Sequence, residues 1–292
     1  MSKIDDVLKQ YNRKLNDSQV AESVTEMLAK KLEENKTKAV YKTCFNCIDL
    51  TSLNSTDSDE TIAAMMEKVN LFKQNFAEMP LVGAVCVYPS MVKTAKSVLT
   101  ENIGIASVSA GFPSSQTFIE VKIAETAMCV LDGATEIDVV ISIGKFLSND
   151  YESVAEEISE IKAACRDAHL KVILETGALK SAENIKTASI IAMEAGADFI
   201  KTSTGKMEPA ATLDAAFVMC QAIKEFHQKT GKKIGFKPAG GIVSTDDACK
   251  YYTVVKEILG QEWLNNKLFR IGASRLANNL LTEVYEKEIR YF

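Results

Sequence analysis

Three ionisable residues stand inside apolar runs of this 292-residue chain: Asp138 in "TEIDVVIS", Lys201 in "DFIKTST" and Lys237 in "KIGFKPAGG". An unpaired charge in such a place is costly, and a lysine can answer by giving up its proton. What remains is a nucleophilic amine. If Lys201 and Lys237 both face inward, their ammonium groups repel, low local dielectric magnifies the repulsion, and one of them deprotonates. Asp138 offers a carboxylate to carry protons between the amines and a bound water. An amine, an ammonium and a carboxylate together suit Schiff-base chemistry on a carbonyl. Each also has a plainer explanation. Lys201 alone can snorkel its head into water, Asp138 can be an ion-paired core carboxylate, and Lys237, followed by Pro238, can sit at a surface turn. Their joint occurrence favours a catalytic set.

These side chains need elements to position them. Residues 2–38 carry apolar positions at helical spacing, with an N-cap signal at Asn16 to Ser18. From Cys44 on, apolar runs alternate eight times with helical stretches. The expected strands are Cys44 to Thr51, Leu81 to Pro89, Ile103 to Pro113, Thr135 to Ser142, Lys171 to Thr176, Asp198 to Thr204, Lys233 to Gly241 and Leu268 to Ser274. Runs without alternation imply strands buried on both faces, as in a parallel sheet. Eight such units, about thirty residues apart, predict a (β/α)8 TIM barrel. The expected organisation is a helical extension over 1–43 packing on a catalytic barrel over 44–292.

Catalytic groups of such a barrel lie at the C-terminal ends of the strands, and phosphate often binds the loops after strands seven and eight. Those loops read "PAGGIVS" and "IGASRLA". Gly240 and Gly241 let backbone N–H groups approach an anion, and Gly272, Ala273 and Ser274 open the last helix, whose N-terminus favours negative charge. Lys206, just past Gly205, and Arg275 are candidate cations for the same anion.

Composition excludes some classes. A net charge of −5 argues against a nucleic-acid partner held by bulk charge. The first residues lack a secretory apolar segment, and no run suits a bilayer span, so no membrane partner is expected. Seven cysteines, an odd number and mostly in apolar runs, fit buried free thiols in a cytoplasmic setting. Cys44 and Cys47 form a C-x-x-C on an apparent strand, with neither a helix start nor a second ligand pair, and read as structural. Only two histidines exist, His169 and His227, which argues against a zinc-dependent aldolase or a Ser-His-Asp hydrolase.

The motifs "IDLTSLN", "TEIDVV", "DFIKTSTGK" and "GFKPAGG", in this order, resemble those of the 2-deoxyribose-5-phosphate aldolases, class I aldolases on an eight-fold barrel. The resemblance runs from about Cys44 to about Leu281, and the long N-terminus and "FRIGAS" look like the animal-type forms. It implies reversible cleavage of 2-deoxy-D-ribose 5-phosphate to acetaldehyde and D-glyceraldehyde 3-phosphate, in nucleoside catabolism. By resemblance Lys201 is the Schiff-base lysine, Lys237 the ammonium beside it, and Asp138 the proton carrier. Asp49 and Thr204 would orient the sugar, and Gly205, Lys206, Gly240, Gly241, Gly272 and Ser274 would surround its phosphate. No cofactor or metal is implied, and a homo-oligomer is possible. Two positions depart from the pattern. Val243 stands where an arginine is common, and Arg275 where a second hydroxyl is usual. Tyr291, near the end of the chain, has a counterpart in a mobile tail of some relatives. Other Schiff-base barrels, transaldolase-like or dehydratase, and a phosphosugar sensor without chemistry are the alternatives to exclude.

Overall fold

The computed structural model describes residues 3–292. Eight strands form one parallel sheet: β1 (Ile48–Thr51), β2 (Ala84–Val87), β3 (Gly104–Ser109), β4 (Glu136–Val140), β5 (His169–Ile173), β6 (Phe199–Lys201), β7 (Gly235–Lys237) and β8 (Ile271–Ala273). They neighbour one another in chain order, and β1 also pairs with β8. Two isolated bridges, Phe236 to Phe269 and Ala239 to Gly272, bring β7 against β8 and close the ring. Helices alternate with the strands, as the TIM barrel requires. The strands are buried almost throughout, which is why they read as apolar runs.

The helical stretch at the N-terminus comprises Lys3–Leu8, Asp17–Lys31 and Lys38–Asn46, with a 3-10 turn at Glu33–Asn35. Asn16 caps the second helix, its side-chain oxygen accepting from the Gln19 N–H at 3.1 Å. Ile4, Leu8, Val20 and Val24 bury themselves in the same core as the barrel helices. Polar contacts fix the packing: the Tyr11 hydroxyl donates to Glu194 at 2.7 Å, and the Asn35 amide to the Thr253 hydroxyl at 3.0 Å.

The first expected strand needs correction. Residues 44–46 are helical, and β1 begins only at Ile48. Thr37 caps this helix by accepting from the Val40 N–H, and Val40, Cys44 and Phe45 fall on its buried side. Cys44 and Cys47 therefore lie at a helix C-terminus, the end that disfavours a thiolate. Burial raises the Cys44 thiol well above its ordinary value and pushes Cys47 up to about 12. All seven cysteines are free and buried.

Candidate active site

Side chains on a strand alternate between its two faces, so residues two apart share the barrel interior. Glu136 and Asp138 on β4 meet this condition, and both are buried. Register does the rest. Asp138 pairs with Lys171 across β4 and β5, and Lys201 with Lys237 across β6 and β7. Asp49 enters from β1, and Arg270 from the residue before β8.

Asp138 is the hub. Its Oδ2 accepts from Lys201 Nζ at 2.8 Å and from Lys237 Nζ at 2.7 Å, and its Oδ1 accepts from Lys171 Nζ at 3.0 Å. Asp49 accepts from Lys237 and from Lys171 on Oδ2, and from Arg270 on Oδ1 at 2.6 Å. Arg270 also grips Glu136 through two nitrogens, at 3.0 and 2.7 Å, and Lys171 completes the ring by an ion pair to Glu136. Bidentate contacts of this kind fix direction as well as charge.

The protonation pattern follows from burial and charge. Burial opposes ionisation of Asp138, but Lys171, Lys201 and Lys237 outweigh it and hold the carboxyl well below the usual range. Asp49 and Glu136 are likewise depressed by their cations against the effect of burial. Lys171 and Lys237 are raised, since their carboxylates overcome the burial penalty. Lys201 is the exception. Burial lowers it, Asp138 pulls it back up, Lys237 lowers it again, and the amine ends below the ordinary lysine value. The expected repulsion between the two lysines is present, but burial is the larger cause.

Lys201 is the member of this set that lines the cavity beside the glycine loops. The cavity, of about 220 Å³, is also lined by Thr204, Gly205, Lys206, Gly240, Gly241, Gly272 and Ser274. Asp138 and Lys237 are closed off behind it, each with 0% exposure. Asp49 was expected at the sugar. It is fully buried, ion-paired to Lys171, Lys237 and Arg270, and is not among the residues that line this cavity.

The hydroxyl-rich turn after β6 is tied to its surroundings. Ser203 donates to the Ala239 carbonyl at 2.6 Å, and Thr202 accepts from the Ala239 N–H at 3.0 Å. Glu175, in the left-handed region at φ 54°, accepts from the Thr204 hydroxyl at 2.6 Å. These bonds hold the loop of Thr204 to Lys206 against the glycine loop. Gly240 has φ +89°, and a Cβ there would lie 2.6 Å from the Cβ of Ala210 and 3.0 Å from the Cα of Gly205. Only glycine permits both the backbone and the approach. Lys206 spends its ammonium on the Leu53 carbonyl at 2.6 Å. Arg275 is exposed at the start of the last helix and lines the same cavity. Tyr291 is elsewhere: its hydroxyl donates to the Lys68 carbonyl, and its ring packs among Phe72, Phe76 and Phe292.

Lys171, Glu136 and Arg270 were not singled out from the sequence. The available signal was parity, since Glu136 shares the face of Asp138. A second was the presence of two charges, Lys171 and Arg270, in segments already assigned to buried strands.

Comparison with known proteins agrees with this architecture. The sequence model described as DeoC/LacD family aldolase matches residues 43–257. The human deoxyribose-phosphate aldolase is 46% identical over 249 residues, covering 82% of this chain and 78% of that one. The Bos taurus deoxyribose-phosphate aldolase is 44% identical over 250 residues, covering 82% and 79%. Among solved structures, QR15, an aldolase, is 30% identical with a TM-score of 0.67, over 83% of this chain and 96% of its own. The deoxyribose phosphate aldolase of Aeropyrum pernix, described as a tetramer, shares the fold at 24% identity and a TM-score of 0.66, over 88% and 96%. With the family model matching residues 43–257 and relatives 44–46% identical over 82% of its length, the chain belongs to the DeoC/LacD aldolase family.

Proposed function

We propose that the chain is a deoxyribose-phosphate aldolase that cleaves 2-deoxy-D-ribose 5-phosphate to acetaldehyde and D-glyceraldehyde 3-phosphate, reversibly and through a Schiff base on Lys201. The observation that carries this is that Lys201 alone among the buried charged set reaches the cavity, whose opposite wall is the glycine loop suited to a phosphate. The named relatives support the substrate.

In this reading the neutral amine of Lys201 attacks C1 of the open-chain sugar. Asp138, 2.8 Å from that nitrogen, and Lys237, bonded to the same carboxylate oxygen, exchange the protons that turn carbinolamine into iminium and water. The iminium is an electron sink. The C2–C3 bond breaks, its electron pair goes to an enamine on Lys201, and the C3 hydroxyl loses its proton to leave glyceraldehyde 3-phosphate. Protonation of the enamine at C2 and hydrolysis then release acetaldehyde. The iminium supplies the activation, so these steps call for no metal. Thr204, held by Glu175, faces the sugar, and the backbone N–H groups around Gly205, Gly240, Gly241, Gly272 and Ser274 receive the phosphate, with Lys206 and Arg275 at its edge. Seven buried free thiols support a reducing, cytoplasmic setting. Among the described residues no helix is long and apolar enough to cross a membrane.

The test is reduction with cyanoborohydride in the presence of acetaldehyde, followed by peptide mass analysis, alongside an assay of deoxyribose 5-phosphate cleavage. A two-carbon adduct on Lys201, absent in Lys201→Ala, and cleavage of the phosphosugar are expected. An adduct without cleavage would point to a different carbonyl substrate. A protein that forms no adduct has no Schiff-base chemistry.

A further inference from the structure

Seven ionisable side chains touch one another inside the barrel: Asp49, Glu136, Asp138, Lys171, Lys201, Lys237 and Arg270. All are buried. The subset nearest the cavity does not balance. Asp49 and Asp138 carry two negative charges, Lys237 one positive charge, and that deficit would keep a proton on Lys201. The deeper residues change the sum. Lys171 and Arg270 add two positive charges and Glu136 one negative. With these included, three carboxylates face three cations, and the set is neutral only when Lys201 is uncharged. A proton on Lys201 would then leave a net positive charge away from water, which is unfavourable.

We propose that Lys171 and Arg270 are positioning residues that hold Lys201 as a free amine, with Glu136 offsetting one of their two charges so that the buried set is neutral. They touch neither the cavity nor the reacting atoms, and they act through Asp138 and Asp49. The claim rests on the Schiff-base role of Lys201. Other groups that face Lys201 leave the sum unchanged. Cys86 on β2 is a thiol pushed up by burial and therefore neutral. Glu175 after β5 bonds Thr204 and Lys206 bonds the Leu53 carbonyl; neither touches the set, and their opposite charges cancel each other. The directions agree: three depressed carboxyls, Lys171, Lys237 and Arg270 raised, and Lys201 lowered.

The experiment follows the rate of acetaldehyde adduct formation on Lys201, trapped by cyanoborohydride, against pH. In the unaltered protein the rate should stay nearly flat through neutrality, whereas an ordinary lysine would gain about tenfold per pH unit there. Lys171→Met removes a cation, and the rate at neutral pH should fall at least about tenfold and recover with alkali. Glu136→Gln removes an anion and should not slow adduct formation. The paired variant Glu136→Gln/Lys171→Met restores the sum and should return the profile towards that of the unaltered protein. A merely structural role predicts the reverse order, with the pair worse than either single change. The proposal is overturned if the folded Lys171→Met variant keeps the original profile, or if the pair stays as slow as the single. Should the variants fail to fold, a tenfold climb per pH unit in the unaltered protein overturns it alone. An adduct with the wrong pH dependence leaves the aldolase reading standing, whereas no adduct at any pH overturns both.

Discussion

Lys201 and Lys237 pair directly across β6 and β7, and their Nζ atoms bond the same oxygen, Oδ2 of Asp138, at 2.8 and 2.7 Å. One carboxylate oxygen thus serves two amines, and the two differ in what else they touch. Lys237 also contacts Asp49, whereas Lys201 turns towards the cavity. The second carboxylate keeps the proton on Lys237 and leaves Lys201 as the amine. Lys237→Leu should therefore raise the proton affinity of Lys201. Turnover at neutral pH should fall by about tenfold or more, and the acid limb of the kcat/KM profile should move to higher pH. An unchanged acid limb would remove Lys237 from this role.

Asp138→Asn separates the proton transfers of imine formation from the supply of the attacking amine. The amide retains an oxygen for Lys201 but cannot carry a proton as a carboxylate does. A fall in kcat of roughly 10²- to 10⁴-fold is expected, the range of general acid–base loss. Borohydride trapping of Lys201 should slow in step with turnover but still yield the adduct on long incubation, because the amine itself is intact. Loss of the adduct as well as turnover would mean that Asp138 serves mainly to hold the amine in place.

Arg275 is the exposed cation beside the glycine loop, while the ammonium of Lys206 is already bonded to a carbonyl. Arg275→Ala should raise KM for deoxyribose 5-phosphate by about tenfold, one lost charge-assisted contact. KM for unphosphorylated deoxyribose should not move. Equal changes for both substrates would show that Arg275 shapes the cavity without reading the phosphate.

Gly240→Ala places a methyl against Ala210 and the backbone of Gly205 at a positive φ. We expect a loss of stability of about 1–3 kcal/mol, visible as a lower Tm, and weaker binding of phosphorylated substrate. A variant with the original Tm and KM would show that the loop can re-form around the methyl.

The buried carboxyls make stability sensitive to acid. Asp49, Glu136 and Asp138 are all depressed below their ordinary values of 3.8, 4.5 and 3.8, because each is surrounded by cations. Their contribution is complete above that ordinary carboxylate range. It is lost as pH falls through and below it, since the unfolded chain binds those protons first. Chemical denaturation at a series of pH values should show ΔG dropping on acidification, more steeply than in a Glu136→Gln/Lys171→Met protein. Equal slopes would contradict the pattern.

The barrel was legible because seven of its eight strands are apolar runs that alternate with helical stretches, and such runs have few other folded states. The first strand was misplaced because "CFNC" is too short and too apolar for periodicity to distinguish helix from strand. The decisive signal was Thr37, an N-cap seven residues upstream of Cys44. At the site, Lys201, Asp138 and Lys237 stood out because each interrupts an apolar run. Lys171 and Arg270 escaped because each stands near the start of its run, where a charge ordinarily meets solvent. Their depth depends on the stagger of strands around the barrel, which a linear sequence does not display. Asp49, assigned to the sugar, is fully buried among Lys171, Lys237 and Arg270, a set of partners that the sequence does not display.

β7 meets β8 through two single bridges, whereas every other neighbouring pair among the described residues forms a ladder of three or more positions. That joint is the least securely bonded line of the wall, and the two loops proposed to receive the phosphate rise from either side of it. A bound phosphate would therefore act as a clasp, suppressing the breathing of the ring where it opens most readily. Amides of Phe236, Arg270 and Gly272, which bond across that line, would exchange their hydrogens most slowly when sugar phosphate is present.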